Sequence, residues 1–548
     1  MGVTVFWILL FALIAVLAVS TAIHDRNRRN ARYENIQKGF GVKNIEGELP
    51  KPPVKAPALY EYLRSINCGD FCIDDITWSD LALDEIYARM NRTVTSAGDE
   101  YIWCRLRMLF ADEGEAKSIF SKIRYFISDK DDAIKYLKIL DRYGKSRERD
   151  DFKLVSSISD KTCGTIISDV ICIVLLIASV ILTTVYPLAG FAMMIVMIIV
   201  SIGLYFSGKR RMEEQLLGLS LCLKLIDCAN TLSKEGADEF KQYDHLKSLT
   251  KGKFLIPFKD RTVSDPFSIV FDYVRMITHI DLIAFKLKIL KAAGYKEELR
   301  ALYTDIGRFD TILAVASYLA DRKHCEAYVN NNNSIVAESI WHPLVRKPVC
   351  NDIKVTRGVL LTGSNASGKS TFLKSIGLNL LFARSFGFAL ADRFETGKYD
   401  LYTSMALSDN ILHKQSYYVV EAQSIKRICD ASEKGMCLCI IDEVLRGTNT
   451  VERIAASSQI LKYLNKPNVL CFAATHDLEL THLLEDDMDM YFFTEEISDG
   501  DVTFPFVIQK GYTDKTNAIR LLDMFGFDEG IVTAANGLVE KYRSTGKW

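Results

Sequence analysis

The chain carries almost no excess of charge: 68 Lys and Arg against 69 Asp and Glu leave a formal net charge of -1 over 548 residues. A bulk attraction to nucleic acid is excluded, although a local basic surface is not. Zinc-site spacing is missing as well. The thirteen cysteines are scattered, and Cys68 and Cys72 have no nearby His or second Cys pair to complete four ligands. No zinc is expected, and the thiols read as reduced. Cys437 and Cys439 alternate within an apolar run, where packing is the natural role. There is no internal repeat. The apolar N-terminal run lacks the basic stretch that precedes a signal peptide's core, which argues for a retained anchor.

What is present in quantity is apolar sequence. "VTVFWILLFALIAVLAVSTAI" (Val3 to Ile23) is long enough to cross a bilayer and is followed at once by "HDRNRRNAR". A second run, Thr165 to Phe206, is about twice spanning length and breaks at "TVYPLAG", with Pro187 as the turn. It reads as a transmembrane hairpin. Lys161 precedes it and Lys209 to Arg211 close it, so both ends belong on the cytoplasmic side. The expectation is a multi-pass membrane protein with three spans, its N-terminus outside and its C-terminal half cytoplasmic. Asp169, near the start of the hairpin, is expected to reach the interface.

Between and beyond these runs, about Asp75 to Asp150 and Arg211 to Lys323 show apolar residues at three- and four-residue spacing with charges between them. The predicted organisation is an anchor (1–24), a linker (25–74) containing "GELPKPPVKAP", a first helical part (75–164) and the hairpin (165–207). A second helical part (208–330), a nucleotide-binding α/β domain (331–510) and a C-terminal helical segment (511–548) follow.

The chemistry lies in the α/β domain. "TGSNASGKST" (Thr362 to Thr371) places Gly363, Gly368, Lys369 and Ser370 in the pattern G-x-x-x-x-G-K-[ST]. Its backbone N–H groups wrap phosphates, the Lys reaches the outer phosphates and the hydroxyl ligates Mg²⁺. "VTRGVLL" (Val355 to Leu361) reads as the strand entering the loop and Ser370 to Ala383 as the helix leaving it. A second strand, Met436 to Ile441, ends in Asp442 and Glu443, one carboxylate for Mg²⁺ and one to polarise an attacking water. A third, Asn468 to Thr475, ends in His476, placed to contact the γ-phosphate or that water. The predicted chemistry is Mg²⁺-dependent ATP hydrolysis.

"WHPLVRKPVCNDIKVTRGVLLTGSNASGKSTFLKSIGLNLLFARSFGFALA", "IIDEVLRGTNTVERIAAS" and "FAATHDLELTHLL" together resemble the ATPase domain of MutS, the DNA mismatch-repair ATPases. "GYTDKTNAIRLLDMFGFDEGIVTAA" is similar to that family's C-terminal dimerisation segment. Ile76 to Arg107 and Tyr303 to Ala320 resemble, less specifically, the two ends of its helical core. The resemblance implies an α/β P-loop NTPase of the ABC/MutS type, preceded by an all-α core and lever module that here carries transmembrane helices. It assigns phosphate binding to Gly363, Ser364, Asn365, Ala366, Ser367, Gly368, Lys369, Ser370 and Thr371. Mg²⁺ falls to Ser370 and Asp442, catalysis to Glu443, His476 and Lys369. "SYYVVEAQS" resembles the family's serine-bearing signature, so Ser416 is implied to reach ATP bound to a second subunit, giving a homodimer with composite sites. Double-stranded DNA is the partner class the family implies.

Three departures stand out. Ala366-Ser367 replaces the family's usual Met-Gly, which leaves the cradle intact. No Phe-x-Glu mismatch-reading domain precedes the helical core in this sequence. The hairpin sits midway through the helical module, where the DNA clamp is expected. Two other classes remain open. One is an ABC-class ATPase engaged in transport or membrane remodelling, although no Leu-Ser-Gly-Gly lies between the loop and Asp442. The other is a nucleotide-gated scaffold without DNA binding, for which differential ATP binding suffices.

Overall fold

The computed structural model describes the chain except for residues 1, 43–48, 54–56, 67–70, 110–112, 147–149, 160–165, 254–272, 365–366, 406–416, 447, 499–500, 514–518, 520–521, 524 and 547–548. It has a helical N-terminal part and a mixed α/β C-terminal part.

Polar caps start many of the helices. Asp74, Thr95, Asp129 and Asp150 each accept a backbone N–H from the first turn of the helix that follows them, which satisfies a donor that has no intrahelical partner. Helices Ser96–Arg107 and Lys296–Leu319, distant in sequence, pack together at the centre of this part. The approach is close because Gly307 lacks a side chain: a Cβ there would lie 2.5 Å from the Ala97 carbonyl oxygen. Fully buried Asp310 fastens the pair, accepting from Thr95 N (2.8 Å), Thr95 Oγ1 (2.5 Å) and Val94 N. Burial still pushes its carboxyl up to about 6.

Two expectations about the N-terminal region need correction. The apolar run and its basic sequel form one helix, Gly2–Gly39, so residues 25–39 continue the helix and are not linker. Ala58–Ile66 is also a helix; it buries Leu59 and Leu63 and sets Tyr60 edge-on to Trp103. The prolines between 52 and 57 end before it, where a ring without an N–H costs a helix nothing.

Three described helices are long and apolar enough to cross a membrane: Ile167–Val185, Pro187–Arg211 and Glu213–Lys234. The first two form the hairpin, with Pro187 at the first position of its second helix. They turn outward a continuous apolar surface that includes Val174, Ile177, Ile181, Leu188 and Ile199. The third is largely buried within the helical body, through Leu219, Cys222, Leu225, Ile226 and Leu232, so its apolar character is already spent on the core. Asp169 does not reach an interface. It is buried against His279 and Lys286 of the helical body, at 3.0 and 2.6 Å, because these two donors give its carboxylate partners inside the protein.

The first strands, β1 (Phe71–Cys72) and β2 (Met108–Leu109), pair within the helical part. The α/β part holds two larger sheets. One uses β3 (Cys325–Asn330), β4 (Ile335–Ile340), β5 (Asn351–Val355), β7 (Phe388–Ala389) and β8 (Arg393–Gly397), in the order β5-β4-β8-β3-β7. The other uses β6 (Val359–Thr362), β9 (Asp400–Ser404), β10 (Cys437–Asp442), β11 (Val469–Ala474), β12 (Asp489–Phe493) and β15 (Ile508–Lys510), in the order β15-β12-β6-β11-β10-β9, and between its last two strands in sequence lies a separate antiparallel pair, β13 (Glu496–Ser498) and β14 (Asp501–Thr503). Strands β9, β10, β11, β6 and β12 run parallel. β10 and β11 are buried at all six positions, the pattern of a parallel sheet covered on both faces. Leu438, Ile440, Leu470 and Phe472 face the core shared with the helical part, while Cys439, Ile441, Cys471 and Ala473 face a second cluster.

Two boundaries differ from the expected ones. The stretch Val355 to Leu361 is not one strand: Val355 ends β5 in one sheet and Val359 begins β6 in the other, with the break at Arg357-Gly358. The β-rich part begins at Cys325, ahead of the expected 331, because β3 pairs with β8 and β7.

Candidate functional site

Parallel strands place their carboxyl ends on one edge, and loops there converge at a crevice. β6 delivers the loop from Gly363, β10 delivers Asp442 and Glu443, and β11 leads to His476 through Thr475, whose N–H donates to Leu361 O at 2.9 Å. Asn365 and Ala366 lie outside the described residues, as does Ser416.

The loop needs glycine at its two ends. Gly363 has φ +141° and Gly368 φ +106°. A Cβ on the first would sit 2.8 Å from Phe493 O, and one on the second 3.0 Å from the Phe506 ring. The helix Lys369–Phe386 then starts with no side-chain cap, which leaves its first N–H groups facing the loop. Lys369 is 5% exposed. Its ammonium donates to Gly363 O (2.7 Å) and Ser364 O (2.8 Å), and His476 Nε2 lies 3.4 Å away. Burial holds its pKa down to about 8 against the opposing pull of Asp442 and Glu443. Ser367 Oγ is buried with no hydrogen-bond partner among the described residues. Ser370 and Thr371 are exposed.

Glu443 has φ +61°, as does Leu445 two residues on. Such angles are rare for side-chain-bearing residues and concentrate at functional sites. Both carboxylate oxygens are engaged: Oε1 meets His476 Nε2 at 2.8 Å and Oε2 meets Arg446 Nε at 2.5 Å. The His476 hydrogen bond, then Arg446 and Lys369, hold its pKa below the usual carboxylate range against burial. Glu443 is therefore ionised at neutral pH and able to accept a proton. Asp442 is 7% exposed, and its carboxylate has no hydrogen-bonding partner among the described residues. An uncapped helix start, a buried ammonium and an orphaned hydroxyl suit a phosphate chain. A buried carboxylate at the end of a strand on this same edge suits a hard cation with oxygen ligands.

Several participants were not picked out as site residues in the sequence. Glu495 accepts from Ser364 Oγ at 2.6 Å; it follows β12, and no local pattern marks it. Arg446 lies within the quoted "DEVLRGTN" segment but carried no motif of its own. Arg453 forms a two-pronged pair with Asp477 (2.9 and 2.6 Å), bracing the turn after His476. Beside the loop, a cavity of about 200 Å³ is lined by His342, Val349, Asn351, Phe372, Phe493 and Phe506.

The α/β part is coupled directly to the helical part. Asp80 Oδ2 accepts from Thr403 Oγ1 (2.6 Å) and Met405 N (3.0 Å) at the end of β9.

Residues 359–543 match the family profile described as MutS domain V. The chain is 29% identical over 261 residues to the DNA mismatch repair protein MutS 1 of Halobacterium salinarum, a match that covers 45% of this chain and 30% of that protein. It is 27% identical over 263 residues to the DNA mismatch repair protein MutS of Chlamydia pneumoniae, covering 45% and 32%. To its counterpart in Streptococcus pyogenes serotype M49 it is 28% identical over 265 residues, covering 45% and 30%. The chain spans about 30% of the length of the curated relatives it matches.

Proposed function

From the match of residues 359–543 to MutS domain V, we propose that the chain is a MutS-type, membrane-anchored, Mg²⁺-dependent ATPase that uses ATP at composite dimer sites to drive a conformational switch. The convergence of Lys369, Asp442, Glu443 and His476 on one edge of the parallel sheet carries this reading. Residues 363–371 would hold the triphosphate, with the helix start and Lys369 supplying positive charge. Ser370 and Asp442 would hold Mg²⁺, which supplies charge neutralisation at the phosphate oxygens. Glu443 accepts the proton of the attacking water once His476 exchanges its carboxylate for the γ-phosphate. The cavity lined by Val349 and Phe506 lies beside the loop and has the apolar character an adenine ring needs. Ser416 reaching across to the partner's nucleotide completes the composite site.

Strand β10, its neighbour β9 and Asp80 supply a mechanical route from the site to the helical part, and the hairpin extends from that part. Its outward apolar surface favours a bilayer as the element that receives the motion. The DNA mismatch repair named for the relatives is the second reading. Turnover by the purified full chain decides between them, measured in detergent and in vesicles, with and without matched and mismatched duplex across a salt series. Stimulation by vesicles alone supports the membrane task. Stimulation by duplex that falls steeply with salt supports a phosphate-tracking clamp. Absence of ATP turnover under every condition removes the enzyme reading.

Lys369 offers a separate check. Its pKa of about 8 is lowered by burial, and a neighbouring polyanion raises such a value. At pH 8.5 to 9 the free lysine is mostly neutral and the bound one charged, so ATP binding is expected to take up a proton. Below about pH 7 the uptake fades because the lysine is already protonated. Calorimetry in buffers of different ionisation enthalpy measures this, and a binding enthalpy at pH 8.5 that is the same in every buffer would show that no proton is taken up.

A further inference from the structure

A second concave site lies in the helical part, away from the sheet. It is a cavity of about 580 Å³ between the helices Glu213–Lys234 and Lys247–Thr250 and the end of Lys130–Leu140. That volume lies within the roughly 300–1,000 Å³ of small-molecule sites. Among the described residues its wall is strongly one-signed: Arg142, Lys224, Lys234, Lys247 and Lys253 line it, against a single carboxylate, Asp227. Lys224, Asp227, Thr231 and Lys234 recur at three- and four-residue spacing and so share one helix face. Lys253 pairs with Asp227 and Lys247 with Asp244 at 2.8 Å. Arg142 and Lys234 have no acidic partner among the described residues. Asn230, also in the lining, adds a neutral amide donor, whereas the Thr231 hydroxyl donates to the Asp227 carbonyl oxygen at 2.8 Å.

Like charges gathered in a cleft with low-dielectric walls focus a positive potential that attracts an anion of matching size. Arginine and lysine together with a neutral donor are the groups that recognise phosphate. We propose that this cavity binds a small, soluble, multiply charged phosphate compound of nucleotide size. A bounded cavity suits such a ligand better than duplex DNA, whose evenly spaced phosphates call for an extended basic stripe. The site is independent of the ATP site, so the proposal stands or falls apart from the function above.

The test uses the full chain in detergent with Lys369→Ala, which removes phosphate binding at the loop, and sodium tripolyphosphate as the probe. Calorimetry is expected to show saturable binding at one site. Arg142→Gln combined with Lys234→Gln should weaken it at least tenfold, and the Glu pair should weaken it further, with melting temperature confirming an intact fold. Both residues are exposed, and the neutral pair keeps the test interpretable if charge reversal disturbs folding. No saturable binding, or equal affinity in the neutral double variant, overturns the proposal. So does binding confined to vesicles containing phosphatidylinositol bisphosphate, which would make the ligand a lipid headgroup. Displacement of tripolyphosphate by a short DNA duplex, lost in the same variants, would overturn it in favour of a nucleic-acid track.

Discussion

Glu443→Gln is expected to lower ATP turnover by about 10²- to 10⁴-fold, the range a positioned general base contributes, while leaving nucleotide binding near the wild-type level. The carboxylate sits at the end of β10 in a left-handed backbone conformation and is held from both sides by His476 and Arg446. Glutamine keeps the shape and one acceptor oxygen but cannot take a proton, so the loss should fall on turnover and not on affinity. Single-turnover phosphate release, paired with binding of a fluorescent ATP analogue, separates the two. Wild-type release from the variant would show that Glu443 does not activate water. A large loss of nucleotide binding would instead assign it to holding the loop, through the Lys369 and His476 contacts. Because hydrolysis would end the ATP state, the variant should also accumulate as an ATP-bound dimer, and sedimentation reads this directly.

The parts of the site visible in the sequence are those built from short contiguous segments. The loop from Gly363, the Asp442-Glu443 pair and His476 each follow an apolar strand, and parallel pairing carries them to the same edge. What tunes them comes from farther away. Glu495 reaches Ser364 from 131 positions on in sequence, and Arg446 approaches Glu443 only because the backbone turns sharply at Glu443 and Leu445. The hairpin was legible for the same reason as the strands, since a long apolar run punctuated by a proline is a local pattern. The buried helix Glu213–Lys234 shows the limit of that signal, because hydropathy alone does not separate a bilayer-facing helix from one enclosed by other helices. The helix Ala58–Ile66 was hidden for the opposite reason: prolines just ahead of it marked the region as a linker, while its stability comes from burying Leu59 and Leu63 against distant elements.

Asp169 is the clearest case of a residue whose meaning depends on distant partners, and its removal is expected to have the largest effect on stability. Its two oxygens are divided between His279 Nδ1 at 3.0 Å and Lys286 Nζ at 2.6 Å, which lie 110 and 117 positions away. His279 Nε2 in turn lies 3.0 Å from Ser201 O and 3.1 Å from Ser201 Oγ on the second hairpin helix. The same helix donates through Tyr205 Oη to Asp281 at 2.8 Å. One polar network thus ties both hairpin helices to the segment that opens helix Ile280–Ala293. Asp169, His279 and Lys286 are all less than 10% exposed. Asp169→Ala leaves the Lys286 ammonium buried without its carboxylate, and breaking a buried pair from one side costs about 3–5 kcal/mol. The double change Asp169→Leu with Lys286→Met removes both charges and should recover most of that loss, since apolar replacement of a buried pair is often neutral. Thermal melting of the three proteins in one detergent checks this, and a double variant as unstable as Asp169→Ala would show that the charges themselves are not the issue. ATP turnover adds a second reading. If the network transmits motion to the hairpin, ATP is expected to change the labelling of buried Cys172 in the wild-type protein in vesicles, and the double variant should hydrolyse ATP at the wild-type rate yet lose that change. Retained labelling changes would mean that the hairpin follows the helical part through apolar packing alone.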